Sequence, residues 1–115
     1  MHVIAAVALA SLLIGSGVAH FVVPRYFRAL VPEWVGHAGP VVAVSGVADL
    51  VVGGALCVPQ WREGGAWAAA VLITAYLPSH VDALRHARPA WALARLTVNL
   101  GYIGWAVAVA LTAPG

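Results

Sequence analysis

Four apolar segments constrain this chain more than any other feature of its sequence; they run over 3–23, 40–58, 66–84 and 90–112. An apolar helix of about 20 residues rises far enough to cross the hydrocarbon core of a bilayer, whereas a membrane barrel requires short alternating strands. Only 9% of the residues are charged, and the mean hydropathy is +0.93. We therefore predict an all-α integral membrane protein whose single domain, residues 1–115, is an up-and-down four-helix bundle.

The connection over 24–39 is the longest of the three and mixes arginine with aromatic residues between prolines. This composition is typical of a short helix or loop that lies at the headgroup level, and Tyr26 and Trp34 would anchor it there. Arginines are concentrated in this connection and in the one after the third segment, against Arg62 alone in the other. The positive-inside rule therefore predicts a cell-membrane protein with loops 24–39 and 85–89 cytoplasmic and both termini outside.

The charged and cysteine residues exclude several classes of protein. The net charge of +2 is carried by scattered arginines, with no lysine, so the chain lacks the clustered basic face of a nucleic-acid-binding protein. Cys57 is the only cysteine, which excludes an intrachain disulfide and a thiolate metal cluster. The expected environment is membrane lipid, and nucleic acid is not an expected partner.

Asp49 lies near the middle of the second apolar segment and is the only charged residue in it. An ionisable group at that depth costs at least a few kcal/mol unless it faces a partner or a wet cavity, so it marks a candidate functional site. Ser45 and Gly53 share its helical face, because they lie four residues before and after it. This face is expected to turn towards the interior of the bundle.

The other three segments each carry polar residues as well. His20 follows Ser16 by four residues in the first segment, and His80 follows Pro78 in the third, where the proline predicts a kink. The fourth segment has the clearest polar face, with residues at i, i+4, i+8 and i+11. These four residues are Trp91, Arg95, Asn99 and Tyr102.

Depth along the helices brings these groups into one zone. At about 1.5 Å per residue from the cytoplasmic ends, His20, His80 and Arg95 lie roughly 5 to 8 Å deep, and Asp49 and Asn99 roughly 14 Å deep. One interpretation is structural: an Asp49–Arg95 ion pair, with the histidines as hydrogen-bonding partners, would fix the helix register. We prefer a polar pocket for a ligand, proton or substrate, because a buried ion pair is a poor source of stability.

Several strings in the chain closely resemble the DoxX-like family of small four-helix membrane proteins. The resemblance covers nearly the whole chain in order and spacing, although the family usually has glutamate at the position of Asp49, Pro-Ala-Asn at 78–80 and Arg-Leu-Pro-x-Gln at 95–99. The strings are Gly17-Val-Ala-His20-Phe21, Pro24, Phe27, Val31-Pro32, Ser45-Gly46-Val47-Ala48-Asp49, Gly53-Gly54 to Pro59 and Leu77-Pro78.

The resemblance implies an architecture and a first hypothesis about function. The family takes its name from a subunit of a quinone-linked membrane oxidoreductase, and other members look like accessory proteins of redox or stress complexes. It therefore implies an accessory subunit that binds a quinone or another small lipophilic ligand beside a membrane redox partner. The acid, histidine and arginine positions of this chain resemble a common site of the family.

A second hypothesis is a stand-alone enzyme that opens an epoxide or isomerises an olefin in a lipophilic substrate. Asp49 would be the general base or nucleophile, Arg95 would set its ionisation, and His20 or His80 would be the partner acid. The substrate-binding candidates complete this set: Asn99, Tyr102, Ser45 and Trp91.

Two further hypotheses remain open. His20 and His80 could ligate haem, or a metal together with Asp49, but the chain has no H-x-x-H or E-x-x-H spacing, so this signal is weak. A structural or interaction protein would use the polar cluster only to hold helix register. Homo-oligomerisation is also plausible for a bundle this small.

Overall fold

The computed structural model describes residues 2–86 and 89–113, which form helices joined by short turns, with no strand in those ranges. The all-α prediction is therefore confirmed. A 3₁₀ turn, Pro59–Trp61, follows the third helix. The six α-helices are α1 His2–Val22, α2 Pro24–Leu30, α3 Ala38–Cys57, α4 Arg62–Ala75, α5 Leu77–His86 and α6 Pro89–Thr112.

Three of these helices are long and apolar enough to cross a membrane. They are α1, α3 and α6, with candidate spans at Val3–Val22, Ala38–Cys57 and Ala90–Thr112. The outward side of α3 carries exposed valines at 44, 47 and 51, as expected for a helix that contacts lipid. These spans agree within a few residues with three of the four predicted segments.

The third predicted segment is divided into two helices, α4 and α5, at Tyr76. Pro78 has no backbone N–H and cannot bond the carbonyl of Thr74, so the α-helical ladder cannot continue through this turn. The chain tightens instead, and the Tyr76 N–H donates to the carbonyl of Ile73 at 3.1 Å. The kink predicted at Pro78 is present, but the helix ends one residue before Tyr76.

The helices pack around a core of small side chains. The main pairs are α1 with α3, α3 with α4, and α4 with α6, while α6 also contacts α1. Helix α5 continues along α6, and α2 lies against α3. The fully buried core residues are alanine or leucine, which permit close helix packing; they are Ala6, Leu9, Leu56, Ala66, Ala69, Ala92 and Ala106.

Glycines allow α1 and α3 to approach each other closely. A Cβ atom added at Gly17 would lie 2.9 Å from the backbone oxygen of Gly46, and one added at Gly53 would lie 3.1 Å from the backbone oxygen of Ala10. Both neighbours are backbone atoms, which cannot move aside as the end of a side chain can. The small residues predicted on the Asp49 face therefore set the distance between the two helices.

Arg62 closes the carboxyl end of α3. Its Nε donates to the carbonyl of Leu56 at 2.9 Å, and Nη2 donates to that of Cys57 at 3.5 Å. The guanidinium group is buried, so it supplies charge-assisted hydrogen bonds to carbonyls that the helix leaves unpaired. The sequence assigned Arg62 to an external turn and did not reveal this contact.

Adjacent glycines provide a matched test of the α1–α3 contact. Gly53→Ala should lower the free energy of unfolding by about 1–3 kcal/mol because its Cβ would also lie 2.7 Å from Ile14 Cγ1, whereas the space at Gly54 is open. Thermal or denaturant unfolding in mixed micelles would measure both variants. Equal stabilities of Gly53→Ala and Gly54→Ala would contradict this account of the packing.

Candidate ligand-binding site

A half-open cavity of about 600 Å³ lies among α1, α3, α6 and the junction of α4 and α5, with α2 beside it. Its wall is mainly apolar and includes Leu12, Val42 and Leu72. The structure brings all eight candidate residues to this one cavity. They are His20, Ser45, Asp49, His80, Trp91, Arg95, Asn99 and Tyr102.

Asp49 lies in the cavity wall with no exposed surface. Its Oδ1 accepts a hydrogen bond of 2.6 Å from the Tyr76 hydroxyl, which also lies 3.4 Å from the carbonyl oxygen of Ser45. Within 2–86 and 89–113, Oδ2 has no hydrogen-bond partner, although it lies 3.7 Å from Nδ1 of His20. The carboxyl group is thus held by one short bond and has one oxygen unbonded.

His20 is buried on α1 and is fixed on both sides of its ring. Nδ1 donates to the backbone carbonyl of Ser16 at 2.6 Å, and since a carbonyl can only accept, this nitrogen carries a proton. The ring stacks on Phe27 of α2, with centroids 3.8 Å apart and planes at 17°. In its neutral form His20 therefore has its free lone pair on Nε2.

Helix α6 supplies an amide and a guanidinium group. Nδ2 of the buried Asn99 donates to the Ile73 carbonyl at 3.2 Å, beside the break between α4 and α5. Nε of Arg95 is buried, and no described residue accepts a hydrogen bond from it. His80, on α5, lines the same cavity.

The ion pair of the register interpretation is not formed among the described residues. Asp49 is bonded to Tyr76 and lies beside His20, while Arg95 lies elsewhere on the cavity wall. Both Asp49 and Arg95 therefore keep one buried polar atom without a partner. Buried polar atoms are paired in the great majority of cases, so two exceptions in one cavity call for an explanation.

The cavity is bordered by aromatic residues of α2, of the loop that follows α2 and of the first turn of α6. Tyr26, Trp34 and Trp91 line the cavity and are themselves half or more exposed. Helix α2 has no buried residue, and only the Phe27–His20 stack and a few neighbouring contacts attach it to the bundle. The short helix predicted between the first two segments thus lies at the side of the site.

Sequence reasoning missed Tyr76, the hydrogen-bond donor to Asp49. The available signal was a tyrosine in an apolar segment, two residues before a proline that ends the helical ladder. It also missed the Phe27 stack on His20. As for metal ligation, the described residues include no group of three or more His, Cys, Asp or Glu side chains placed to hold an ion.

These features define a class: an all-helical protein with three helices long and apolar enough to cross a membrane, and a cavity lined by polar side chains from several helices. The chain belongs to the family described as a domain of unknown function (DUF8561), whose model matches residues 9–110. No curated protein and no solved structure matches the chain. The matched range contains every candidate site residue, and the DoxX-like resemblance stays a prediction.

A double-mutant cycle tests the bond between Asp49 and Tyr76. Tyr76→Phe should lower the free energy of unfolding by about 1.5–3 kcal/mol, because the carboxylate loses its short hydrogen bond of 2.6 Å. In an Asp49→Leu background the same change should cost much less. Unfolding in mixed micelles would measure the four proteins.

Tyr102→Phe is the matched control for that cycle, because Tyr102 lines the same cavity without bonding Asp49. Its effect should be the same in both backgrounds. Equal losses from Tyr76→Phe in the two backgrounds would show that the hydrogen bond contributes nothing to stability.

Proposed function

We propose that α4 and α5 together form a fourth membrane-crossing segment, which gives a DoxX-like four-helix bundle. With Tyr76 between them, the two helices cover the 25 residues from 62 to 86, about 37 Å at 1.5 Å per residue. This length is sufficient for a span even with a kink. The packing of α4 against both α3 and α6, two of the helices long and apolar enough to cross a membrane, supports the proposal.

We further propose that loops 24–39 and 85–89 face the cytoplasm and that both termini lie outside the cell membrane. The support is the distribution of loop arginines. Part of the second loop, residues 87 and 88, lies outside the described residues. The carboxyl end of α3 and the turn at Pro59–Trp61 would then lie on the external side.

The single cysteine offers a direct test of this orientation. Cys57 is exposed at the end of α3, so a membrane-impermeant maleimide should label it in intact cells. In a Cys57→Ser background, a cysteine introduced by Glu33→Cys in the first loop should react only after permeabilisation, because Glu33 is exposed on the opposite side. The reverse pattern of labelling would contradict the proposed topology.

The cavity supports a binding function, and we propose that it takes a small lipophilic ligand, with a quinone as the expected class. The observation that carries the proposal is a fully buried carboxyl group, with one unbonded oxygen, in the wall of a mainly apolar cavity of about 600 Å³. Cavities of this size, with a few convergent polar groups, are typical of sites for small molecules. Arg95 adds an unbonded donor that a carbonyl or hydroxyl oxygen could accept.

The proposed biological setting is a membrane redox system to which the protein is accessory. The DoxX-like resemblance suggests this setting, and the site contains groups that can exchange protons with a quinol. Asp49 and His20 lie 3.7 Å apart, and both line the cavity. A membrane redox enzyme would be the partner, and the ligand would enter from the lipid.

A stand-alone enzyme is the second candidate function. The observation that favours it is the contact of Asp49 with both an acid, Tyr76, and a base, His20. Such a set can move a proton to and from a substrate, as epoxide opening and olefin isomerisation require. Arg95 and Tyr102 would then orient the substrate. Conversion of a bound substrate by the purified protein alone would distinguish this candidate from an accessory subunit.

Native mass spectrometry of gently solubilised protein, with lipid extraction, tests the binding proposal. Wild type should release a small lipophilic molecule or quinone, and folded Asp49→Leu and Arg95→Gln should bind it at least about tenfold more weakly, equivalent to roughly 1.4 kcal/mol, and so retain less of it. Ser11→Ala is the control, since Ser11 is exposed on α1, donates to the Val7 carbonyl and does not line the cavity. Equal occupancy in all four proteins, or no bound molecule in wild type, would contradict the proposal.

A further inference from the structure

Tyr76 is the member of the Asp49–Tyr76 pair that a ligand can contact. Asp49 has no exposed surface, whereas Tyr76 is partly exposed and lines the cavity. The Tyr76 hydroxyl is bonded to Oδ1 of Asp49 at 2.6 Å. Asp49 would thus act on a ligand through Tyr76, as a positioning residue.

Given the ligand cavity proposed above, we infer that the proton on Asp49 decides whether Tyr76 accepts a hydrogen bond from the ligand or donates one to it. The site would therefore select between the reduced form of a quinone, which carries hydroxyl groups, and the oxidised form, which carries carbonyls. This selection reverses with pH. Each protonation state of the site would thus prefer one redox form of the ligand, which is more specific than the binding proposed above.

With Asp49 ionised, the carboxylate can only accept, so Tyr76 must direct its one proton to Oδ1. The tyrosine oxygen then offers only lone pairs to the cavity. A hydroquinone O–H can donate to that oxygen, but a quinone carbonyl cannot, since both oxygens would be acceptors. The ionised state of the site therefore takes the reduced ligand.

With Asp49 protonated, the bond to Tyr76 can reverse. The carboxyl O–H donates to the tyrosine oxygen, and the Tyr76 proton is released from Oδ1. It can then point into the cavity, where a ligand acceptor at normal hydrogen-bond distance competes with the Ser45 carbonyl 3.4 Å away. A quinone carbonyl can accept it. Binding the oxidised ligand is thus linked to uptake of one proton, and binding the reduced ligand to its release.

Other ionisable groups face this site from each element packed around it. On α1, His20 lies 3.7 Å from Asp49, but its Nδ1 proton is committed to the Ser16 carbonyl. His80 on α5 and Arg95 on α6 line the cavity. The arginines of α2, at 25 and 28, are exposed. The Tyr76 hydroxyl bonds no other titratable side chain in the described part of the chain.

The test uses the full-length protein in nanodiscs and two probes, a decyl-substituted benzoquinone and its hydroquinone. Their dissociation constants are measured anaerobically from pH 5 to pH 8. The ratio of quinone affinity to hydroquinone affinity should fall by up to tenfold per unit rise in pH, since the two forms bind protein states that differ by one proton. The ionisation constant of Asp49 scales this ratio but does not change its slope against pH, so the trend does not depend on where Asp49 titrates.

Three variants assign the effect to the Asp49–Tyr76 pair. Asp49→Asn should make the affinity ratio independent of pH, because its amide cannot gain or lose a proton. Tyr76→Phe should have the same effect, because it removes the hydroxyl group that either donates or accepts. Tyr102→Phe is the matched control tyrosine in the same cavity and should keep the slope. Retention of the slope in either of the first two variants would overturn the inference.

The outcomes separate this inference from the proposed function. If wild type binds neither probe, the quinone-class proposal fails, and the inference fails with it. If both probes bind with a ratio that is independent of pH, the cavity binds quinones but the inference is overturned. A slope that is lost in His80→Gln, yet kept in Asp49→Asn, would assign the proton to His80 and would equally overturn it.

Discussion

The hydrogen bond from Tyr76 to Asp49 is the interaction on which the arrangement of this bundle depends. A carboxyl group with no exposed surface, among helices apolar enough to cross a membrane, loses its hydration and needs a donor nearby. Tyr76 supplies it with a hydrogen bond of 2.6 Å. The bond joins α3 to the junction of α4 and α5, so it relates two elements that are 27 residues apart in the chain.

The break between α4 and α5 at Tyr76 also holds helix α6 in place. Pro78 stops the helical ladder, and the carbonyl of Ile73 beside the break accepts hydrogen bonds from both the Tyr76 N–H and the Asn99 amide. In an apolar environment such a carbonyl must find donors within the protein. Helix α6 is thereby attached to the break, which keeps its polar face directed into the cavity. One proline thus positions polar groups from two helices.

Much of the fold and of the cavity lining could be predicted from the sequence, but the pairing within the cavity could not. Apolar length fixed three of the helices, and the spacing of Arg95 and Asn99 placed them on the face that lines the cavity. Depth along a helix axis says nothing about rotation around it, so the register interpretation paired Asp49 with Arg95, and the Tyr76 partner was not predicted. The contact of Arg62 with Leu56 was not predicted either, because it depends on how the turn folds back.

The unpaired polar atoms of Asp49 and Arg95 argue against a polar cluster that only holds helix register. Polar groups that only fix helix register are paired with each other, as a single buried polar pair is between coiled helices. The pairing offsets the free-energy cost of burying them. Here Asp49 and Arg95 line one cavity without pairing, and each retains a buried atom with no partner among the described residues. Packing of the helices alone therefore does not recover that cost. A ligand that bonds Tyr76, and through it acts on Asp49, could recover part of that cost, which favours binding over register as the reason these residues are present.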